Sequence, residues 1–302
     1  MSKPVYHKAV LLHEAVDGLN IDPDGVYVDV TFGGGGHSRE ILNRLGPNGR
    51  LYAFDQDPDA AANVPDDRRF TLVPQNFRHL RRALRLFSVK KVNGILADFG
   101  VSSHQFDVPE RGFSFRYDAP LDMRMNPDAP LHAAAVLNDY DESELQRVFS
   151  RYGELPRSAQ LARTIGEKRV VSPLATTGQL VDIIEGVYGF KQRQSAKAQV
   201  FQALRIEVND EMGALADFLD QLAEVLLPEG RVVCITYHSL EDRMVKHLIR
   251  SGNLDDEPVR DEFGKRLLPF KAVNRKPIIP SEEEIKENPR ARSAKMRIAN
   301  RL

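Results

Sequence analysis

Short apolar runs alternate with stretches of helical spacing along the first hundred residues. Val26 to Thr31 (VYVDVT) has the length and β-branched content of a buried strand. The glycine run 33–36 behind it leads into SREILNRL, where Ile41, Leu42 and Leu45 share one helical face. LYAF at 51–54, FTLV at 70–73 and GILAD at 94–98 predict three more strands. DPDAAANV, with Pro58 near a helix start, fills the gap before the third. Phe77, Leu80, Leu84 and Phe87 predict a basic amphipathic helix before the fourth. Strands alternating with helices imply a mostly parallel α/β sheet covered on both faces.

The next convincing strand, RVVCITY at 231–237, begins more than 130 residues after Asp98. One crossover takes only about 30 residues, so a segment of about 100 residues interrupts the sheet. That segment is helical in pattern: SELQRVFSRYG, PRSAQLARTIGEKR and TTGQLVDIIEGVY carry threes-and-fours spacing, with caps expected at Asp141, Pro156 and Thr176. The expected organisation is a core in two parts, 1–111 and 210–302, around an inserted helical domain at 112–209. A helix over 210–227, ended by Pro228 and Gly230, returns the chain to the sheet, and FKAVNRKPII and AKMRIAN predict late strands.

Composition narrows the class. The chain has 302 residues, 42% of them hydrophobic, enough for a sizeable core and incompatible with disorder as the dominant state. Cys234 is the only cysteine, which excludes an intrachain disulfide, and its apolar surroundings make it an expected core residue. No apolar run approaches the roughly 20 residues of a membrane span, so a soluble cytoplasmic protein is expected. Net charge is −1, but the charges are segregated. Asn76 to Lys91 holds Arg78, Arg81, Arg82, Arg85, Lys90 and Lys91 with no acidic residue, and six more cations between Lys286 and Leu302 face Glu287 alone. Such faces suit a phosphate-bearing partner, although a charge run is also an ordinary solvated surface. No metal site is expected: none of the eight histidines sits in an H-E-x-x-H pattern, and one cysteine cannot form a zinc cluster.

The chemistry concentrates at strand ends. Asp29 to Gly35 reads D-x-T-x-G-x-G after the first strand, where glycines let backbone approach a nucleotide closely. A dinucleotide fingerprint needs a third glycine where Ser38 stands. Asp55, ending the second strand, can accept ribose hydroxyls from NAD or from S-adenosylmethionine, while Asp29 favours a cationic ligand end over a pyrophosphate. From these residues alone an NAD(P)-dependent oxidoreductase and a noncatalytic RNA-binding assembly factor with a vestigial pocket stay open beside a methyltransferase.

Six ordered motifs then become specific. TFGGGGHS at 31–38, DFGVSSHQ at 98–105, ERGFSF at 110–115, PLDMRM at 120–125, HSLEDR at 238–243 and NPRARS at 288–293 closely resemble the bacterial small-subunit (16S) ribosomal RNA methyltransferases that modify a cytidine's 4-amino nitrogen, over about His7 to Arg301. The resemblance implies a class I S-adenosylmethionine-dependent methyltransferase core with an inserted helical domain, and 16S rRNA in the small ribosomal subunit as partner. It implies that Gly34, Gly35, Gly36 and His37 wrap the methionine and adenosine parts, that Asp55 takes the ribose, and that Phe77, Asp98 and Gln105 line the rest.

Many amine-directed nucleic-acid methyltransferases carry a Pro-Pro motif after the fourth strand, and this chain has no Pro-Pro dipeptide. Asp98 occupies the place and is the expected catalytic residue, orienting the amine. Methylation at pyrimidine carbon 5 would need a cysteine nucleophile, which Cys234, inside a strand pattern, does not suit. His238, at the end of the 231–237 strand, is a second catalytic candidate, and Ser239 is expected to cap the next helix with Asp242 completing the box. For RNA, Arg111, Phe115 and Arg124 belong to a stretch that interleaves rings and guanidiniums, with a hydrophobic anchor for the inserted domain as the competing role. Arg290, Arg292 and Lys295 are the phosphate candidates.

Overall fold

A computed structural model describes residues 9–302. Along the chain, helix α1 (Leu12–Leu19) precedes strand β1 (Val26–Asp29), followed by α2 (Gly36–Arg44), β2 (Arg50–Phe54), β3 (Phe70–Val73), α3 (Leu80–Leu86) and β4 (Val92–Asp98). Six helices come next: α4 (Ser103–Asp107), α5 (Ala133–Asp139), α6 (Glu142–Gly153), α7 (Ser158–Val171), α8 (Thr177–Val187) and α9 (Arg193–Asn209). The chain closes with α10 (Glu211–Val225), β5 (Leu226–Thr236), α11 (Ser239–Ser251), β6 (Phe270–Ala272), α12 (Glu282–Glu287) and β7 (Lys295–Arg301).

The strands form one sheet in the order β3-β2-β1-β4-β5-β7-β6. The first five run parallel, and β7 is antiparallel to both β5 and β6. Parallel strands buried on both faces read as near-continuous apolar runs, which is why VYV, LYAF and GILA are legible as strands. Helices α3, α10 and α11 bury Leu80, Leu84, Phe218, Leu222 and Leu248 on one face. On the other, α1 and α2 bury Val16, Leu19 and Ile41. No helix among the described residues is long and apolar enough to cross a membrane.

The described residues divide into two compact units, 9–100 with 212–302, and 101–211. The second unit is helical around its own core of Leu145, Phe149, Leu161, Ile165, Leu180, Ile184, Val200 and Leu204. The expected first boundary at 111/112 falls inside it. Residues 101–111 belong there because Val101 and Phe106 pack on that core and the Arg111 guanidinium donates to the carbonyls of Arg124 and Met125. Capping boxes open α6 at Asp141 with Glu144 and α8 at Thr176 with Gln179, as their sequences predict. Helix α7 instead begins at Ser158 behind Arg157, past the cap expected at Pro156.

Three further expectations are corrected. The segments 58–63 and 77–79 form 3₁₀ turns, so the basic helix is shorter than its pattern. Helix α10 stops at Val225, before the expected breakers, and β5 starts at once. There Leu226 pairs with Val92 and Arg231 with Gly94, so the residues between form a bulge that holds Pro228, which cannot donate to the ladder. Gly230 is required in that bulge, since a Cβ would lie 2.8 Å from the Leu227 carbonyl oxygen.

Under the carboxyl end of β4, Phe77, Phe99 and Phe218 meet edge to face, with centroids 5.5–5.9 Å apart. Phe218 is completely buried. Phe218→Ala is expected to lower stability by about 3–5 kcal/mol, the usual cost of removing a buried ring. Urea denaturation reads this directly, and a loss below about 1 kcal/mol would show that the cluster is not a structural support.

Candidate active site

The order of the sheet reverses between β1 and β4, and ligands of open α/β sheets sit beyond the carboxyl ends of strands at such a point. Three carboxylates converge on that edge: Asp29 ends β1, Asp55 follows β2 and Asp98 ends β4.

The turn after β1 is braced on several sides. Asp55 Oδ2 accepts the Gly33 N–H at 2.7 Å and its Oδ1 accepts that of Asp57 at 2.9 Å. Asn63 donates to the Gly33 carbonyl, and Arg39 to that of Gly34. Gly35 has φ +74°, and a Cβ there would press on Phe32 and Arg39 at 2.9 Å. At Gly36 a Cβ would lie 2.8 Å from that of Ala9. These positions need glycine for conformation and close approach respectively. Helix α2 then starts at Gly36, so its first backbone N–H groups, which have no partner within the helix, lie at the same edge.

Asp29 is fully buried, accepting Ser38 Oγ at 2.7 Å and the Thr31 N–H at 3.1 Å. Burial raises its pKa, opposed by the charge of His37 and the Ser38 bond. Buried His37 faces the Val10 carbonyl oxygen through Nε2 at 3.0 Å. Since a carbonyl only accepts, Nε2 carries the hydrogen and Nδ1, 3.9 Å from Asp98 Oδ2, is left toward the carboxylates. Asp98 has its own N–H on Thr31 Oγ1 at 2.7 Å, and its Oδ1 accepts the Tyr237 hydroxyl at 2.7 Å. Burial pushes both Asp55 and Asp98 up to about 6. Backbone N–H groups oppose this at Asp55, while His37 and the Tyr237 bond oppose it at Asp98. Burial beside Asp98 also holds the Tyr237 phenol protonated well past its ordinary range.

The other expected residues fall as follows. His238 is the N-cap of α11: Glu241, not Asp242, completes the box, and the imidazole replaces Ser239 as its cap. Its Nε2 lies 3.2 Å from Glu241 Oε1, off the line of a hydrogen bond, and the side chain is 8% exposed. Asp242 instead pairs with Arg297 at 2.7 Å. Phe77 lies in the aromatic cluster beside Phe99, the residue after Asp98. Gln105, in the second unit, is buried and closes a capping box with Ser102. Within that unit, Arg124 pairs with Asp122 and donates to the Ala129 carbonyl, and Phe115 meets Phe201 edge-on with the Lys197 ammonium over its ring. Arg290 is half-buried, while Arg292 and Lys295 are exposed. Buried Cys234, its thiol pushed up to about 12 by desolvation, is inert core.

Tyr237 and Glu241 escape sequence reasoning as site residues. Glu241 is buried and accepts the Tyr237 N–H at 2.8 Å. Tyr237 could have been found from strand order, because Asp98 pairs with Ile235 once β5 is set beside β4, bringing the residue just past Thr236 to the same edge.

A mostly parallel sheet of this order with one antiparallel strand, a glycine turn after β1 and carboxylates at the ends of β2 and β4 is the α/β arrangement expected of an S-adenosylmethionine-dependent methyltransferase. The chain belongs to the MraW methylase family, whose model matches residues 4–302. It is 57% identical over 297 residues to the ribosomal RNA small subunit methyltransferase H of Flavobacterium johnsoniae, with 98% of each chain covered. The proteins of that name from Christiangramia forsetii and Bacteroides fragilis are 55% and 54% identical, covering 98% of this chain and 98% and 97% of their own. The resemblance carried by the six motifs is therefore met.

Carboxylates with raised pKa favour the folded state while protonated. Their contribution is complete below the ordinary carboxylate range and is lost as pH rises through about 6. Asp98→Asn, which keeps an acceptor for Tyr237, is expected to stabilise the ligand-free protein at pH 8 by roughly 1–2 kcal/mol. The gain should vanish toward pH 4. Thermal melts across that range check this, and a gain independent of pH would refute the assignment to ionisation.

Proposed function

We propose that this protein transfers a methyl group from S-adenosylmethionine to the exocyclic 4-amino nitrogen of a cytidine in small-subunit (16S) ribosomal RNA, with the small ribosomal subunit as its substrate particle. The observation that carries the reading is the convergence of Asp29, Asp55 and Asp98 at the switch point beside a glycine turn. This acceptor-rich set fits a cofactor with ribose hydroxyls, an ammonium and a sulfonium. It would repel the pyrophosphate of a dinucleotide, which disfavours the oxidoreductase.

When bound, the cofactor supplies a methyl group on a sulfonium leaving group. Each Asp55 oxygen accepts one backbone N–H and keeps a lone pair for a ribose hydroxyl. Gly34, Gly35 and Gly36 leave the backbone bare for close approach, and His37 stands beside them with Nδ1 toward the ligand. Phe77, in the aromatic cluster beside Phe99, lines the rest of the cofactor's surroundings within the same unit. The cytidine amine is a poor nucleophile because its lone pair is delocalised into the ring. Asp98 serves it by accepting an N–H through Oδ2, which turns the lone pair out of conjugation and holds charge as it develops. Tyr237 is a positioning residue: its hydroxyl fixes Oδ1 and directs the other oxygen outward. His238, a buried capping imidazole, fixes the start of α11 behind Tyr237 rather than moving a proton. On the RNA, Arg292 and Lys295 meet phosphate with Arg290, while Arg111, Phe115 and Arg124 order the 111–129 segment of the second unit as an RNA-contacting surface.

The direct test supplies labelled S-adenosylmethionine to small subunits lacking the modification, then digests the RNA to nucleosides for mass analysis. Labelled N4-methylcytidine is expected; tight cofactor binding with no transfer to subunits or free RNA would overturn the reading. Tyr237→Phe should lower kcat about 10–100-fold, with the cofactor Kd within a few-fold of wild type. It should also move the acidic limb of the pH profile upward from about 6, because the phenol lowers the Asp98 pKa. An unmoved limb with unchanged kcat would remove Tyr237 from the machinery.

A further inference from the structure

Between Asp67 and Asp98 the chain carries no acidic residue, although it has 43 in 302, and places Arg78, Arg81, Arg82, Arg85, Lys90 and Lys91 close together. The fold divides these six cations. Leu80, Ala83 and Leu84 turn into the core, which leaves the arginines of α3 on its outer side. Arg78 forms a two-toothed pair with Asp217, at 2.9 and 2.7 Å, and Arg81 pairs with Glu224, both on α10. The Lys91 ammonium approaches the Leu226 carbonyl oxygen at 3.5 Å. The side chains of Arg82, Arg85 and Lys90 have no hydrogen-bond or ion-pair partner among the described residues, and all three residues are exposed. Beside them Leu86 is 73% exposed and Phe87, packed on Tyr52, 41%.

Arg82 and Arg85 are one helical turn apart, and like charges at that spacing weaken a helix. This seven-residue helix thus carries a like-charge pair with no acidic side-chain partner among the described residues. The strip also lies off the active-site edge. It leads from the carboxyl end of β3 to Lys90 and Lys91, which immediately precede β4 at the opposite end of the strand from Asp98. A substrate no larger than the target nucleotide and its neighbours would not reach it, whereas a folded RNA would.

We infer that Arg82, Arg85 and Lys90 form a phosphate-gripping surface for ribosomal RNA on the flank of the sheet, separate from the catalytic edge, with Leu86 against the sugar face. The inference rests on the RNA methyltransferase reading and adds a second RNA-binding region to it. Phosphate recognition of this kind is sequence-independent and releases counterions, so it sets affinity and its salt dependence without altering chemistry.

The test compares the wild-type chain with the Arg82→Gln/Arg85→Gln/Lys90→Gln variant and with the corresponding triple Glu variant. All three side chains are exposed, and retained affinity for S-adenosylmethionine verifies the fold. Binding to purified small-subunit rRNA is measured between about 50 and 200 mM salt. The slope of log K against log salt should fall by about two to three units in the Gln variant, at roughly 0.7–0.9 for each phosphate no longer neutralised. KM for unmodified small subunits should rise at least tenfold, further in the Glu variant, with kcat at saturating substrate unchanged. An unchanged slope and KM in both variants would overturn the inference. So would loss of binding to phosphatidylglycerol vesicles with RNA binding intact, which would assign the strip to a membrane surface. Failure of the wild-type chain to methylate any subunit would instead refute the underlying enzymatic reading, and that result is separable because it appears before any variant is made.

Discussion

Carboxylates must be kept at the reversal point of the sheet, largely out of water, and much of the surrounding structure answers to that constraint. Burying an anion is costly unless partners compensate. Asp29 receives Ser38 and the Thr31 N–H, Asp55 receives two backbone N–H groups, and Asp98 receives Tyr237. Compensation is incomplete, because Asp55 and Asp98 still titrate near 6. A site left short of positive charge is primed for a cation, so the same deficit that weakens the empty fold strengthens ligand capture.

The second tier of interactions supports these acids through backbone. Glu241 takes the Tyr237 N–H, so the residue that holds Asp98 is itself held by the first turn of α11. The three-ring cluster that includes Phe99 fixes the chain just past Asp98, and the bulge in β5 lets that strand run beside β4 to the same edge. Position at the site is thereby set by regular elements rather than by loop contacts alone, the arrangement that gives a reacting group its tightest placement.

Strand order, the glycine turn and the pairing of Asp55 with it are legible in the sequence because each depends on local pattern and on a rule about strand ends. Capping at Asp141 and Thr176 is legible for the same reason. What escapes depends on residues distant in sequence. Tyr237 meets Asp98 across 139 positions, and its role follows only once β5 is seated beside β4. The capping of α11 departs from its sequence pattern because an imidazole at His238 performs a task usually given to serine, which leaves Asp242 free to pair with Arg297. Arg111 and Arg124 have the spacing of outward cations, yet backbone carbonyls and Asp122 occupy them. No charge count distinguishes an arginine that grips RNA from one that holds its own loop.

The interruption between β4 and β5 also governs how the chain comes into being. Once Asp98 has left the ribosome, the β4 edge has no partner until Leu226 follows, more than 120 residues later. At about 5–20 residues per second that delay is roughly 6–25 s. During it a half-built sheet of apolar strands exposes open backbone groups to other nascent chains. The helical segment, whose core residues all lie between Phe113 and Val208, can close that core before the sheet is completed. The last strands then complete a sheet whose neighbours were made long before, and the window of aggregation risk is set by the length of the insertion rather than by the stability of either part.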